Sequence, residues 1–126
     1  MITTLILLNT CHWAADYTHL STKWMYCAKK FGRPFLPIAA HAGVHTLLFF
    51  ITVWLLHDFE MGLIAAAIQW PTHFAIDVWK GKMNDWFPEL QDPANKFHWW
   101  VFGADQYMHQ MVIIITAYLV CNNAQI

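Results

Sequence analysis

The sequence predicts an all-α protein, an integral membrane four-helix bundle that forms a single domain over residues 1–126. Three observations carry that expectation. Apolar residues make up 58% of the chain and charged residues only 12%, against roughly 25% charged in ordinary soluble domains. Four apolar stretches, at residues 1–22, 36–57, 59–79 and 97–121, each reach the ~20 residues that span a hydrocarbon core. All seven Lys and Arg fall in only two of the segments that connect them.

The first stretch carries His12 and Asp16, with His19 continuing their face toward the interface. It has no positively charged start and no small-x-small cleavage site, so it reads as a retained span and not as a signal peptide. Lys23, Lys29, Lys30 and Arg33 follow, and Phe31-Gly32-Arg33-Pro34 makes the turn into the second stretch, which holds His41 and His45. The short His57-Asp58 corner leads to the third stretch, which holds His73 and Asp77. Pro71 is expected to bend that helix just before the pair. Residues 83–93 (MNDWFPELQDP) read as an interfacial loop or short amphipathic turn, and the last stretch holds Asp105 and His109 with Gln106 alongside.

Orientation follows from the basic residues, because cytoplasmic loops carry the excess of Lys and Arg. Both basic segments lie on one side, and the corner on the other holds only Asp58 and Glu60. The sequence therefore predicts an inner (cytoplasmic) membrane, multi-pass protein with both termini outside. Trp24, Tyr26, Trp79, Trp86, Trp99 and Trp100 crowd the basic side, as an interfacial aromatic belt does. Cys11, Cys27 and Cys121 show no C-x-x-C spacing and read as small apolar fillers rather than a disulfide framework or thiolate zinc site.

The polar residues within the spans carry the functional signal. His12/Asp16, His41/His45, His73/Asp77 and Asp105/His109 are each four residues apart, one pair per stretch. That spacing places both side chains on one helix face, one turn apart. At 1.5 Å per residue the four pairs lie roughly 5–18 Å from the basic ends of their spans, so their depths overlap in the cytoplasmic half. Ionisable groups at that depth are costly and mark function by default. Imidazoles and carboxylates without thiolates suit a divalent transition metal, with zinc favoured over manganese or iron. Eight candidate ligands allow one ion with supporting partners, or two ions. The structural alternative is an interhelical hydrogen-bond network that holds no ion.

With these residues assembled, the chain resembles, over nearly its full length, the small phage and bacterial membrane proteins catalogued as domain of unknown function 3307. An H-x-x-x-D-(F/Y) segment is matched by His12, Asp16 and Tyr17, and a histidine-rich second span by His41 and His45. An H-F-x-I-D-x-x-K segment is matched by His73, Phe74, Ile76, Asp77 and Lys80, and a D-Q-x-x-H segment by Asp105, Gln106 and His109. The resemblance implies a four-span membrane protein and supplies no activity.

The site chemistry points to a metal-dependent hydrolase. His12, Asp16, His41, His45, His73, Asp77, Asp105 and His109 are its expected ligands, and Asp16 or Asp105 its expected general base. A site in the cytoplasmic leaflet suggests a lipid or lipid-linked substrate, with Lys80 and Arg33 attracting a phosphate. Two other readings compete with it. One is a proton or divalent-cation transporter, which would need an oligomer. The other is a phage-type protein that binds or inhibits a host membrane complex through residues 83–100. The expected partners are the lipid bilayer, a second copy or a host membrane protein, and no nucleic acid. Cysteines placed at Lys30 and Asn84 are expected to label from the cytoplasm and one at Asp58 from outside. Labelling of Lys30 from outside intact cells would reverse the orientation.

Overall fold

The computed structural model describes residues 1–123. Every regular element among them is helical: α1 (Ile2–Tyr17), α2 (Lys23–Phe31), α3 (Phe35–Leu56), α4 (Phe59–Trp86) and α5 (Lys96–Asn123), with a 3-10 turn at Pro88–Gln91. The four longer helices pack as a ring in the order α1, α3, α4, α5, and α2 lies across α3 and α4. Neighbours in the ring run antiparallel. Thr4 near the start of α1 meets both His57 after α3 and Cys121 near the end of α5.

Local chemistry sets the boundaries. Asp58 caps α4 by accepting from the Met61 N–H at 2.8 Å, the usual use of Asp just before a helix. Thr22 caps α2 in the same way, accepting from Met25 N–H. Gly32 ends α2 with φ 65° and its N–H on the Ala28 carbonyl, a left-handed stop that glycine adopts at no steric cost.

Several expectations are corrected by these boundaries. The first apolar stretch does not continue to residue 22, because α1 stops at Tyr17, where Thr18 turns extended and its hydroxyl bonds the Ala14 carbonyl. The first basic segment, read as a loop, is helix α2. Helix α4, with Pro71 inside it, runs on to Trp86, so only part of residues 83–93 is loop.

By length and composition one helix, Phe35–Leu56, is apolar enough to cross a membrane. The other three fall short of that description for physical reasons. Helix α1 has 16 residues, about 24 Å of rise. Helices α4 and α5 are long, but they carry Gln69, His73 and Asp77, and Asp105, Gln106 and His109, through their middles. Among the described residues the structure is thus all-helical, with one helix of conventional spanning character.

Polarity inside the ring is split along its length. At the end formed by the start of α1, the α3–α4 corner and the end of α5, the core is apolar: Leu8, Phe49, Val53, Met61, Ala65, Ile113 and Val120. At the other end the buried His and Asp side chains gather, with Gln69 and a few apolar residues such as Ala15, Ile38 and Ala42 packed around them. The outer faces are apolar throughout, with Ile6, Trp13, Leu47, Trp54, Leu63, Tyr107, Ile114 and Tyr118 all exposed.

Two glycines let α2 lie directly on α4. A Cβ on Gly81 would sit 2.0 Å from the Gly32 nitrogen and 2.5 Å from the Lys29 carbonyl oxygen. No side chain fits there, and the obstacle is backbone. Gly81→Ala is therefore expected to lower the melting temperature, through an overpacking cost of about 1–3 kcal/mol. Gly43→Ala, where nothing lies within 4 Å of the added carbon, should leave it unchanged or slightly higher. Thermal denaturation of both variants checks the contrast, and equal melting points would show that α2 does not depend on this approach.

Candidate metal centre

The i,i+4 pairs all turn inward. Helix α1 supplies His12 and Asp16, α3 His41 and His45, α4 His73 and Asp77, and α5 Asp105 and His109, and each of these side chains is at most 7% exposed. Asp16 Oδ1 lies 2.8 Å from His41 Nε2 and 3.1 Å from His45 Nε2. Those two nitrogens are 3.2 Å apart. His12 Nε2 sits 3.2 Å from Asp16 Oδ2, and His73 Nε2 3.2 Å from Asp77 Oδ2. His109 Nε2 joins Asp77 and Asp105 at 3.4 and 3.5 Å. The rings of His45 and His73 lie 3.7 Å apart, and those of His73 and His109 4.3 Å.

These contacts form three overlapping groups: Asp16, His41, His45 and His73; His12, His73 and His109; and Asp77, Asp105 and His109. Within each group the ligand atoms lie within 4.8 Å of one another. Bonds of about 2.0–2.2 Å to a zinc ion separate its ligands by about 3–4 Å. The edges around Asp16, His41 and His45 are close to that. The first group is nitrogen-rich and suits a borderline ion such as zinc, whereas the last has two carboxylates and suits a harder one.

Several of the close approaches in this cluster are not hydrogen bonds. His12 Nε2, His73 Nε2, Asp77 Oδ2 and Asp105 Oδ1 are buried with no hydrogen-bond partner, although each has an oppositely charged or chargeable neighbour within about 3.5 Å. Buried polar atoms are almost always satisfied. Lone pairs that crowd together while missing one another as donors and acceptors are what a shared cation would hold.

Two members lay outside the sequence expectation. Lys29, counted there with the interfacial basic residues, reaches from α2 into the cluster, 3.2 Å from Asp16 Oδ1, 3.0 Å from His41 Nε2 and 3.5 Å from Asp77 Oδ2. Burial would lower its pKa, but Asp77 and Asp16 outweigh burial and hold the ammonium above its ordinary value. Its position three residues before Gly32 explains the reach: the glycine contact that seats α2 on α4 also swings Lys29 over Asp77. The second is Gln69, buried with Nε2 3.2 Å from His73 Nδ1. A half-turn of that carboxamide puts Oε1 on Nδ1–H and leaves His73 Nε2 bare, the usual way in which a second partner sets a ligand's tautomer. Gln69 precedes His73 by four residues and so extends the same face, a signal present in the sequence.

The remaining expected positions separate. Lys80 Nζ lies 3.5 Å from Asp105 Oδ2 at the rim of the cluster. Arg33 is 64% exposed and paired with Asp85 at 3.1 Å, so it belongs to the outer surface of α2 and α4. His19 is exposed in the bend after α1. Of the two expected bases, Asp16 is committed to His41, His45 and Lys29, while Asp105 keeps Oδ1 free of hydrogen bonds, 3.5 Å from His109 Nε2, and holds Oδ2 on Gln106 at 2.9 Å.

Lys29 is the one ammonium that touches two of the buried carboxylates, so removing it leaves both short of positive charge. Lys29→Met is expected to cost about 3–5 kcal/mol in chelator-treated protein, and less after a divalent metal is added. Denaturant melts with and without metal measure the difference. Identical losses in both conditions would mean that the ammonium and the metal do not compensate the same charges.

Across residues 2–126 the chain matches the family model described as protein of unknown function, DUF3307. No curated protein and no solved structure matches it.

Proposed function

For a chain that belongs to the DUF3307 family, whose function is unknown, we propose from its own side chains a membrane-embedded, metal-dependent hydrolase that acts on a lipid or lipid-linked substrate. One observation carries the reading: eight His and Asp side chains from four helices meet in a single buried cluster whose ligand atoms fall into three overlapping groups. Three carboxylates there face two ammonium groups, Lys29 and Lys80. A cation held among these side chains would add to the positive charge that Lys29 and Lys80 bring, and zinc is favoured over manganese or iron by the nitrogen-rich first group.

The membrane enters through the distribution of polarity. Exposed Ile, Leu, Trp and Tyr surround a charged interior, the arrangement that suits hydrocarbon outside and a functional polar site within. All four longer helices then span, α1 being short and α4 and α5 carrying inward polar faces that reduce their hydropathy. The basic end faces the cytoplasm by the positive-inside rule, with both termini outside.

When bound, the metal lowers the pKa of water and makes a nucleophile available near neutral pH. Asp105, with one oxygen free and the other held by Gln106, accepts a proton beside it. Lys29 restrains Asp16 and Asp77, and Gln69 orients His73. Conduction fits less well, because the opposite half of the interior is filled by Leu8, Phe49, Val53, Ile113 and Val120.

Purified protein is expected to retain one or two transition-metal ions by elemental analysis. Asp105→Asn and His73→Ala should each lose them while still inserting in membranes, since insertion follows summed hydrophobicity. Unchanged metal content in both variants would rule out direct ligation by Asp105 and His73 and leave them a structural role. A folded preparation that takes up no zinc, manganese or iron would overturn the metal site altogether.

A further inference from the structure

A second cavity, outside the metal cluster, adjoins it at Lys80. Its volume is about 180 Å³, and its polar lining is Lys30, Lys80, Asn84, Gln91 and His98. Lys80 lines this cavity and also contacts Asp105, so it stands between the cavity and the cluster. Lys30 makes no ion pair among the described residues, and its Nζ lies 5.4 Å from the Phe31 ring centre. His98 donates Nδ1–H to the Leu90 carbonyl at 2.6 Å, which leaves Nε2 as an acceptor for a hydroxyl of a protonated phosphate.

The rim is built rather than incidental. Asn84 Nδ2 donates to the Lys30 carbonyl at 3.1 Å and Gln91 Nε2 to the Asn84 carbonyl at 3.2 Å. These bonds tie α2, α4 and the 3-10 turn around one opening. Two ammonium groups and an imidazole in a small polar cavity suit a compact, multiply charged anion, and phosphate is the common one.

An apolar groove of about 370 Å³ lies beside this cavity, and Leu90 and Val101 line both. It is lined mainly by Trp79, Met83, Phe87, Phe97, Trp100 and Ala104, with Glu89 the one carboxylate at its wall. A polar pocket with two lysines beside an aromatic trough suits an amphiphile, with an anionic head in one part and an alkyl chain in the other. Trp79 and Trp100 lie on the basic side, where aromatic belts meet headgroups.

We propose that the Lys30–Lys80–His98 cavity and the adjoining Trp79–Trp100 groove form a binding site for a phosphate-bearing lipid, delivered by Lys80 to the edge of the metal cluster. The proposal names the substrate class for the hydrolase reading and rests on that reading for its catalytic meaning, although binding itself requires no metal.

Calorimetric titration of the detergent-solubilised protein tests it with three probes: dioctanoyl phosphatidic acid, dioctanoylglycerol and inorganic phosphate. Phosphatidic acid is expected to bind at least about tenfold more tightly than either of the others. Lys30→Gln should weaken it about fivefold, and Ala104→Trp, which fills the groove, should reduce it to the affinity of inorganic phosphate. Arg33→Gln, at the exposed pair with Asp85, should leave it as in the parent. Equal binding of phosphatidic acid and dioctanoylglycerol would overturn the phosphate pocket, and equal binding of phosphatidic acid and inorganic phosphate the groove. An unchanged affinity in Lys30→Gln would remove the assignment of that lysine and the pocket with it. Metal analysis of the same samples separates the two readings. Lysine-dependent lipid binding by protein that takes up no metal upholds this site and sinks the hydrolase, while metal-loaded protein that binds no phosphatidic acid sinks this site alone.

Discussion

Asp16, Asp77 and Asp105 are buried together in the interior of a small helical ring, and the rest of the molecule is arranged around keeping that tolerable. An uncompensated buried carboxylate costs several kcal/mol. Five imidazoles crowd the three, Lys29 comes in from one side and Lys80 from another. A helix that otherwise has little reason to exist, α2, is folded against α4 so that its lysine reaches the centre. The contact between Gly32 and Gly81 is the geometric condition for that reach. An electrostatic requirement at the middle thus explains a backbone approach at the edge.

The same requirement accounts for the division of the interior. Charged groups that neutralise one another must share one region, and the apolar residues that give the ring its packing free energy occupy the other. Leu8, Phe49 and Val53 sit one or two turns beyond His12 and His45 on the same helix faces, so each helix carries a polar and an apolar portion in register with its neighbours. This register is why antiparallel neighbours bring like portions together.

Much of the cluster was legible in the sequence because helical spacing is a local property. Asp105 and His109 declare their common face whatever lies opposite them, and one such pair in every apolar stretch implies a shared centre. Lys29 was not legible in the same way. Its neighbours Lys23, Lys30 and Arg33 are surface residues, and only the left-handed turn at Gly32 and the missing Cβ at Gly81 single it out; neither is visible without the partner helix. Arg33 is the converse case, a residue of suitable chemistry in a suitable segment that a neighbour, Asp85, holds on the outside. Helix ends were read less well than helix faces. The boundary after Tyr17 depends on a threonine hydroxyl turning back to Ala14, and the extension of α4 to Trp86 on its packing against α2 and the 3-10 turn. Membrane-spanning character was expected of four helices, yet among the described residues only α3 has it by length and composition, because α1 is short and the polar residues of α4 and α5 dilute their hydropathy.

The three ligand groups also imply an order of assembly. The nitrogen-rich group draws on α1, α3 and α4 and is complete once the chain has been made as far as His73. Lys29 is separated from Asp16 by 13 residues and from His41 by 12, short loops whose closure is entropically cheap. The oxygen-rich group waits for α5. Along the chain, Lys29 and every member of the nitrogen-rich group therefore precede the helix that completes the oxygen-rich one.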